Sequence, residues 1–190
     1  MHATPQMITT SIQLYFTGES FRNIKLFLKL QGVDMNHVSV YKWIKKYIGL
    51  MERYLEKTNL NVGQACRTDE IFLKVKGNMK YLYALMDDET RFWIAQQVAD
   101  TKNTADIAPL FSKGKKIAGT RPNTLISDGA PNFNEAFNRE FYTNKWPRAR
   151  HIRHIRLQGD YNNNKMERMN GEIRDREKTM RGLKKVILPY

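Results

Sequence analysis

The chain has 190 residues, of which 41% are hydrophobic and 11% aromatic, and it carries a formal net charge of +13. This composition excludes an intrinsically disordered chain and provides for one large domain, or for one small and one medium domain. The single cysteine, Cys66, excludes an internal disulfide and favours a reducing compartment.

The positive charge is concentrated towards the two ends of the chain. The net charge is +4 over residues 1–60 (8 basic, 4 acidic), +1 over residues 61–140 (11 basic, 10 acidic) and +8 over residues 141–190 (13 basic, 5 acidic). Basic ends around a nearly neutral middle favour a polyanionic partner such as a nucleic acid. The sequence has neither a basic-then-apolar leader nor an apolar run of membrane-spanning length. We therefore expect a soluble cytoplasmic protein without a membrane partner.

The first predicted elements are three helices within residues 8–50. Apolar residues recur there at helical spacing, and the segments "TGES" and "QGVDMN" interrupt them. The apolar positions are Ile8, Ile12, Tyr15, Phe16, Phe21, Ile24, Phe27, Leu28, Val40, Trp43, Ile44 and Tyr47. The polar and basic positions on or beside the other face of the third helix are Ser39, Lys42, Lys45 and Lys46. The pattern favours a helix-turn-helix DNA reader; the alternative is a three-helix cap whose lysines are only solvated.

From residue 64 the hydrophobic period changes from helical to alternating, which predicts strands. We expect a three-stranded meander, then a helix with Thr104 as its N-cap, a short strand, a helix, a strand and a final helix. The predicted strands are residues 64–76, 80–86, 91–99, 123–129 and 148–155, and the later helices are residues 104–119, 130–143 and 163–181. The change of period divides the chain into residues 1–60 and residues 61–190.

Two aspartates lie in or at the end of predicted strands and are candidates for a functional site. Asp69 shares its predicted strand face with apolar residues, where an ionised carboxylate costs free energy unless it is paired or binds a cation. Its neighbour Glu70 is predicted to face the other way, which excludes the two from one site. Asp128 ends a short apolar strand and precedes Gly129, a position typical of ligand sites in α/β sheets. Taken singly, each aspartate is more often structural, as a paired strand acid or a turn former, than part of a functional site.

The segment "NNNKMERMNGEIRDREKTMRG", residues 162–182, places Glu167 at the head of a helix face. The face beside Glu167 is first small and then basic: Asn170, Gly171, Arg174, Lys178 and Arg181. The apolar stripe that can pack on a sheet is Met166, Met169, Ile173 and Met180. Asparagines at the start of the helix, Asn163 and Asn164 among them, can cap it and hydrogen-bond phosphate. The face has room for a phosphodiester beside the acid and positive charge for the strand that follows.

Acids from a first strand, a later strand end and a final helix can converge on two divalent cations. The chain has no cysteine cluster that could compete for a metal. His151 and His154 form an isolated pair in a predicted strand, for which a structural or DNA-facing role is favoured over metal binding.

Three blocks carry a family resemblance: "RTDEIFLKVKGNMKYLYALMDDETRFWIA", "TLISDGAPNFNEAF" and the segment at residues 162–182. They resemble, in order and spacing, the catalytic blocks of DDE transposases of bacterial and archaeal insertion sequences. The resemblance implies an α/β, RNase H-like fold with a mixed five-stranded sheet of order 3-2-1-4-5, flanked by helices and preceded by a small helix-turn-helix domain. It implies that Asp69, Asp128 and Glu167 are the catalytic residues and bind two Mg²⁺ (or Mn²⁺) ions, and that Arg174 contacts DNA.

The activity implied by the resemblance is hydrolytic nicking at the transposon end, followed by attack of the freed 3′-hydroxyl on target DNA. The implied partners are double-stranded DNA, as terminal repeats and as target, and further copies of the chain in a homodimer or larger synaptic complex, associated with the nucleoid. The residues expected to contact DNA are Ser39, Lys42, Lys45, Lys46, Asn163, Asn164, Asn170, Arg174, Lys178 and Arg181.

Three alternatives stay open. Members of the family continue beyond the glutamate helix, so a C-terminally shortened copy is expected, and a non-catalytic DNA-binding remnant is one alternative function. A second is an RNase H-like nuclease, such as a resolvase, that cuts without joining. A third is a transcription regulator that uses residues 8–50, which leaves the three acid blocks unexplained.

Overall fold

The computed structural model describes residues 4–56, 61–153 and 164–180. They form two compact units: residues 4–56 with 175–180, and residues 61–153 with 164–174. The helices are α1 (Pro5–Phe16), α2 (Phe21–Leu30), α3 (His37–Glu56), α4 (Thr104–Ala118), α5 (Pro131–Glu140) and α6 (Asn164–Thr179). The strands are β1 (Ala65–Val75), β2 (Asn78–Asp87), β3 (Trp93–Ala99), β4 (Thr124–Ser127) and β5 (Arg150–Arg153).

The three N-terminal helices form where the apolar spacing predicts them. Thr4 and Ser20 cap α1 and α2 by accepting hydrogen bonds from backbone N–H groups of the first turn. The core of this unit is Ile12, Ile24, Leu28, Val33, Val40 and Ile44. Phe16 and Phe27, which the spacing assigns to the apolar face, are instead 64% and 39% exposed. Phe16 is the last residue of α1 and lies past the packed stripe, where Tyr15 stacks on Phe21.

The sheet has five strands in the order β3-β2-β1-β4-β5, which confirms the expected 3-2-1-4-5 order. β1, β2 and β3 form an antiparallel meander, while β4 runs parallel to β1 and β5 runs parallel to β4. β4 is short and its Leu125 and Ile126 are fully buried, as a central strand covered on both faces requires.

Helices cover the two faces of the sheet unequally. Alternation along β2 sends Tyr83 and Leu85 into the main core, which α4 and α5 complete with residues such as Ile107 and Phe133. The opposite face presents Ala84 and Met86, and Met166 of α6 is fully buried against them. The predicted apolar stripe of the last helix is therefore confirmed at Met166 and Met169, whereas its last member, Met180, is 41% exposed.

Several boundaries differ from the sequence-based expectation by one to three residues, and two of the differences have a visible cause. The N-cap of α4 is Asn103 and not Thr104, which is already helical. β3 begins at Trp93 and not at residue 91, because the Asp87 carboxylate accepts hydrogen bonds from the Thr90 backbone and hydroxyl and holds a turn there. Arg91 in this turn has φ 61°, which no strand residue adopts. Within the part of the chain that the structure describes, no helix is both long and apolar enough to cross a bilayer.

Close packing between α4 and β2 yields a test of the fold. A Cβ atom on Gly114 would lie 2.3 Å from Cδ2 of Leu85, and Leu85 is 1% exposed. We expect Gly114→Ala to lower the free energy of unfolding by about 1 kcal/mol, because overpacking outweighs the gain in helix propensity. Gly171→Ala is the matched control: nothing lies within 4 Å of its Cβ position, so stability should rise by up to about 1 kcal/mol. Urea denaturation measures both, and a stabilising Gly114→Ala would contradict this packing.

Candidate metal centre

The centre lies where β4 ends beside β1. β4 pairs with β1 only from Ala65 to Arg67, so the edge of β1 is open from Thr68 onward. Asp128 follows the last residue of β4 and therefore emerges beside that open edge, near Asp69. The carboxylate oxygens of Asp69, Glu70 and Asp128 come within 4.8 Å of one another. We call these three residues the carboxylate cluster.

Glu70 corrects the sequence-based expectation. Strand alternation predicts that its side chain leaves the site of Asp69, yet its carboxylate joins the cluster. The physical reason is the open edge of β1, around which a side chain as long as glutamate can reach from the other face. Glu70 also forms an ion pair with Lys102, whose Nζ lies 4.4 Å from the centroid of the Phe72 ring. One charge of the cluster is thus offset by a lysine.

Asp69 is held through both of its carboxylate oxygens. The backbone N–H of Glu70 donates to Oδ1 at 2.9 Å, and the Asn170 side-chain amide of α6 donates to Oδ2 at 2.9 Å. Burial above all, together with the negative charges of Glu70 and Asp128, raises the pKa of Asp69 to about 7, although the two hydrogen bonds oppose the increase. A group of like charges partly removed from water is a site that a cation would stabilise.

A hydrogen-bonded network around His151 supports the strand end that carries Asp128. The His151 Nε2 atom lies 2.9 Å from the Ser127 hydroxyl, and Nδ1 lies 3.2 Å from the Asn134 carbonyl oxygen. The Gly129 N–H donates to Ser127 Oγ at 3.2 Å, so the network is satisfied when Nδ1 carries the proton and Nε2 accepts from Ser127. Burial, followed by the charge of Arg153, lowers the pKa of His151 to about 4, which keeps the ring neutral.

His151 therefore has a structural role, one of the two roles that the sequence favours, and it stacks on Phe137 at 5.1 Å between ring centroids. His154 lies outside the described residues. Ser127 and Asn134 were missed by sequence reasoning. The pairing of His151 with Leu125 places His151 on the same face of the sheet as Ser127, and the spacing of residues along the chain does not show this pairing. Asp128 itself accepts a hydrogen bond from the Ala130 N–H at 3.0 Å.

Glu167 lies in the first turn of α6, exposed to solvent and outside the carboxylate cluster. The start of α6 is fixed by Lys165, whose Nζ donates to the backbone carbonyl and the carboxylate of Asp88, each at 2.8 Å. The buried Arg67 also pairs with Asp88. Although burial opposes it, these hydrogen bonds hold the pKa of Asp88 below its ordinary value. Asn170, one turn after Glu167, provides the contact between this helix and the cluster.

The residues expected to contact DNA are placed as follows. Lys42, Lys45 and Lys46 are exposed on α3, where Ser39 is half-buried. On α6, Asn164 and Arg174 are exposed, and Lys178 forms an ion pair with Asp175 at 3.0 Å. Asn170 is 7% exposed and its amide is occupied by Asp69. Asn163 and Arg181 lie outside the described residues.

The donor set fits a hard divalent cation. Every ligand atom that the cluster offers is a carboxylate oxygen, and Mg²⁺ and Mn²⁺ prefer such oxygens. The raised pKa of Asp69 reflects burial of its carboxylate and the negative charges of Glu70 and Asp128, and a bound cation would offset both effects. Exposure of Asp128 leaves one side of the cluster open to solvent, where water or a phosphate oxygen could complete the coordination.

Comparison with known proteins identifies the family. The sequence profile of the IS240-type DDE domain of transposases matches residues 63–187, which is more than half of the chain. The chain therefore belongs to this DDE-domain family. Together with the order of the strands, this membership establishes the RNase H-like fold.

Relatives in bacteria and archaea match about two thirds of the chain. The transposase of the insertion sequence-like element IS431mec of Staphylococcus aureus is 29% identical over 129 residues, covering 66% of this chain and 55% of the relative. The transposase of IS257 in transposon Tn4003 of the same species has equal identity and coverage. An uncharacterized protein of Methanocaldococcus jannaschii is 31% identical over 119 residues, covering 61% of this chain and 52% of that protein. The chain thus spans about half the length of these relatives.

Two solved structures are similar at low identity. The catalytic core domain of HTLV-2 integrase in complex with magnesium is 17% identical, with a TM-score of 0.42, over 62% of this chain and 72% of that chain. The intasome of simian T-cell lymphotropic virus in complex with PP2A regulatory subunit B56 gamma is 15% identical, with a TM-score of 0.44, over 85% of this chain and 57% of that chain.

The raised pKa of Asp69 predicts a pH-dependent stability. An acid whose pKa rises on folding takes up a proton as the chain folds, so metal-free protein loses stability as the pH rises from about 4 to about 7. Asp69→Asn removes this charge and should raise the melting temperature at pH 8 (about one unit above that pKa) while changing little at pH 4. Added Mg²⁺ at the higher pH should stabilise the wild type and not the variant. Differential scanning calorimetry measures these melting temperatures. An equal difference between wild type and Asp69→Asn at both pH values would contradict a raised pKa of Asp69.

The His151 network predicts a coupled effect on metal affinity. His151→Phe keeps the stacking on Phe137 and loses the ring's hydrogen bonds to Ser127 and Asn134. Ser127→Ala loses the hydrogen bond to His151 Nε2 by removing the hydroxyl. We expect each variant to weaken Mg²⁺ binding roughly 10-fold, because a supporting hydrogen bond orients the neighbouring ligand. The double variant should be no weaker than either single one. Titration calorimetry on folded variants measures this, and additive losses would show that the two residues act separately.

Proposed function

We propose that this protein is a DDE transposase that nicks DNA at the ends of an insertion sequence and transfers the freed 3′-hydroxyl to target DNA. The observation that carries the proposal is the meeting of Asp69 and Asp128, whose carboxylate oxygens come within 4.8 Å although Asp69 lies on β1 and Asp128 follows β4. Membership of the DDE-domain family gives this pair its chemical context.

In this proposal Asp69, Asp128 and Glu167 hold two Mg²⁺ or Mn²⁺ ions. When bound, such ions activate the attacking oxygen and stabilise the leaving oxygen of a phosphodiester. The chain's own residues orient the ligands: the Glu70 N–H and the Asn170 amide each hold one oxygen of Asp69. Lys102 offsets the charge of Glu70, which favours Glu70 as a supporting acid and leaves the role of third ligand to Glu167.

DNA would be held by basic groups on two helices. The exposed lysines of α3, Lys42, Lys45 and Lys46, form one group with Ser39 beside them. Arg174 and Lys178 of α6 follow Glu167 on one side of its helix, with Asn164 at the first position. Lysine and arginine contacts to phosphate supply most of the affinity and little sequence selectivity.

The substrates in this proposal are double-stranded terminal repeats and target DNA, and the working form is a homodimer or larger synaptic complex. Two DNA ends must be joined to one target, so one copy of the carboxylate cluster per end is needed. Light scattering of the protein alone and with end DNA would measure the change in assembly.

Substitution of the acids tests the chemistry. Asp69→Asn, Asp128→Asn and Glu167→Gln should each lower Mg²⁺-dependent nicking of labelled element ends by at least about 100-fold, because a lost ligand costs more than a lost supporting contact. DNA binding measured in EDTA should change little, since no phosphate contact is removed. Glu172→Gln, on the same helix but off the face of Glu167, is the matched control and should keep full activity.

Glu70→Gln separates the two candidates for third ligand. We expect it to retain most of the nicking activity, in contrast to Glu167→Gln. The reverse result, with Glu70→Gln inactive and Glu167→Gln active, would assign the third position to Glu70 and refute this part of the proposal. A pre-cut donor with a free 3′-hydroxyl distinguishes a transposase, which joins it to target, from a nuclease, which only cuts.

A further inference from the structure

A loop before β5 exposes aromatic side chains among basic ones. We call residues 141–149 the aromatic loop. Its Trp146 is 82% exposed and its Tyr142 is 54% exposed, while Lys145 and Arg148 are also exposed. A tryptophan contributes to folding chiefly by burying its ring. An indole left this open contributes little to the core and is available for contact with a partner.

The aromatic loop is nevertheless held firmly at its two ends. The Arg121 guanidinium donates hydrogen bonds to the carbonyl oxygens of Phe141, at 3.3 Å, and Pro147, at 2.7 Å. Phe141 is 1% exposed and stacks on Phe111, and the Arg150 N–H after the loop donates to the Asn123 carbonyl at 2.8 Å. A surface fixed before binding loses less conformational entropy when a ligand arrives.

The charge around the loop selects an anionic partner. Residues 141–153 contain four basic residues and no acidic one. The preceding acid, Glu140, is already paired with Lys115 at 3.1 Å. The Arg148 guanidinium lies 5.9 Å from the centroid of the Trp146 ring, so cationic and aromatic groups are side by side. Basic groups interleaved with exposed rings are the arrangement that binds single-stranded nucleic acid.

The aromatic loop is separate from the carboxylate cluster. β4 and β5 run parallel, and Thr124 pairs with Arg150 and Ser127 with Arg153. The aromatic loop leads into the start of β5 and therefore lies beside the start of β4. Asp128 follows the other end of β4. The length of that strand, roughly 10 Å at about 3.3 Å per residue, lies between the two sites.

We propose that the aromatic loop is a second DNA-binding site, which stacks an unpaired base on Trp146 while Lys145 and Arg148 contact the adjoining phosphates. The inference rests on the DNA-processing function proposed above and adds to it a form of substrate: a single strand or a frayed end. A base inside an intact duplex does not present its face to an indole, so the site discriminates against fully paired DNA.

Binding of a short single-stranded oligonucleotide of mixed sequence, in EDTA, tests the site without any chemistry. The chain has three tryptophans, and stacking on Trp146 should quench fluorescence in the wild type and in Trp93→Phe but not in Trp146→Tyr. Trp146→Ala should weaken single-strand binding roughly 10- to 100-fold, and Trp146→Tyr should restore most of it, because stacking on an aromatic ring supplies that much affinity. Binding of a blunt duplex should change much less.

A second variant keeps the test independent of the indole. Affinity for a single strand falls as salt rises, and Arg148→Ala should make this dependence weaker. The slope of log affinity against log salt should become less negative by about 0.7, the value for one lost phosphate contact. Lys116→Ala, an exposed lysine of α4 in the same unit, is the matched control and should leave single-strand affinity unchanged. Melting curves confirm that each variant is folded.

Several results would overturn the proposal: no single-strand binding by the wild type, equal affinity of wild type and Trp146→Ala, or equal losses on single strand and duplex. Reduced self-association of Trp146→Ala with unchanged DNA affinity would assign the loop to a protein contact and overturn it as well. The binding assay contains no metal, whereas nicking requires Mg²⁺. Nicking in the acid variants therefore tests the transposase proposal, and quenching in Trp146→Tyr tests the aromatic loop, so that either proposal can fail without the other.

Discussion

Repulsion among three carboxylates at the open edge of β1 is the constraint on which this molecule depends. Carboxylate oxygens of Asp69, Glu70 and Asp128 lie within 4.8 Å of one another, and among the described residues Lys102 offsets the charge of Glu70. Burial, followed by the neighbouring charges, raises the pKa of Asp69 to about 7, so a bound proton or cation would stabilise the folded chain. Such a cluster reduces stability and is tolerated because the core on the other side of the sheet is well packed.

The two faces of the sheet are stabilised in different ways. The face towards α4 and α5 is a continuous apolar core in which residues such as Tyr83 and Phe133 are fully buried. The face towards α6 has a small apolar contact, Met166 against Ala84 and Met86, and is supplemented by the ion pairs of Asp88. A helix held partly by charges is easier to displace than one held by a large core. We therefore expect α6 to adjust more than α4 when the cluster binds a cation.

The uneven charge of the sequence acquires a physical explanation from this organisation. The nearly neutral middle of the chain builds most of the sheet and its main core, where uncompensated charge would be costly. Part of the basic excess lies on α3 (net +2) and in the aromatic loop (net +2), while α6 has a net charge of +1. We propose DNA contacts on all three. Their differing chemistry suits different parts of a substrate: lysines for phosphates of a duplex, and an indole for an unpaired base.

The sequence by itself determined the elements of the sheet and the burial of Met166, because hydrophobic period is a local signal. The family resemblance added the order of the strands, and with it the meeting of Asp69 with Asp128. Only the tertiary structure decided that Glu70 joins the cluster, that Asn170 bonds to Asp69, and that Trp146 stays outside the core. The physical reason is that these contacts depend on how far β4 pairs along β1 and on the hydrogen bonds that Arg121 donates. The spacing of residues along the chain predicts neither.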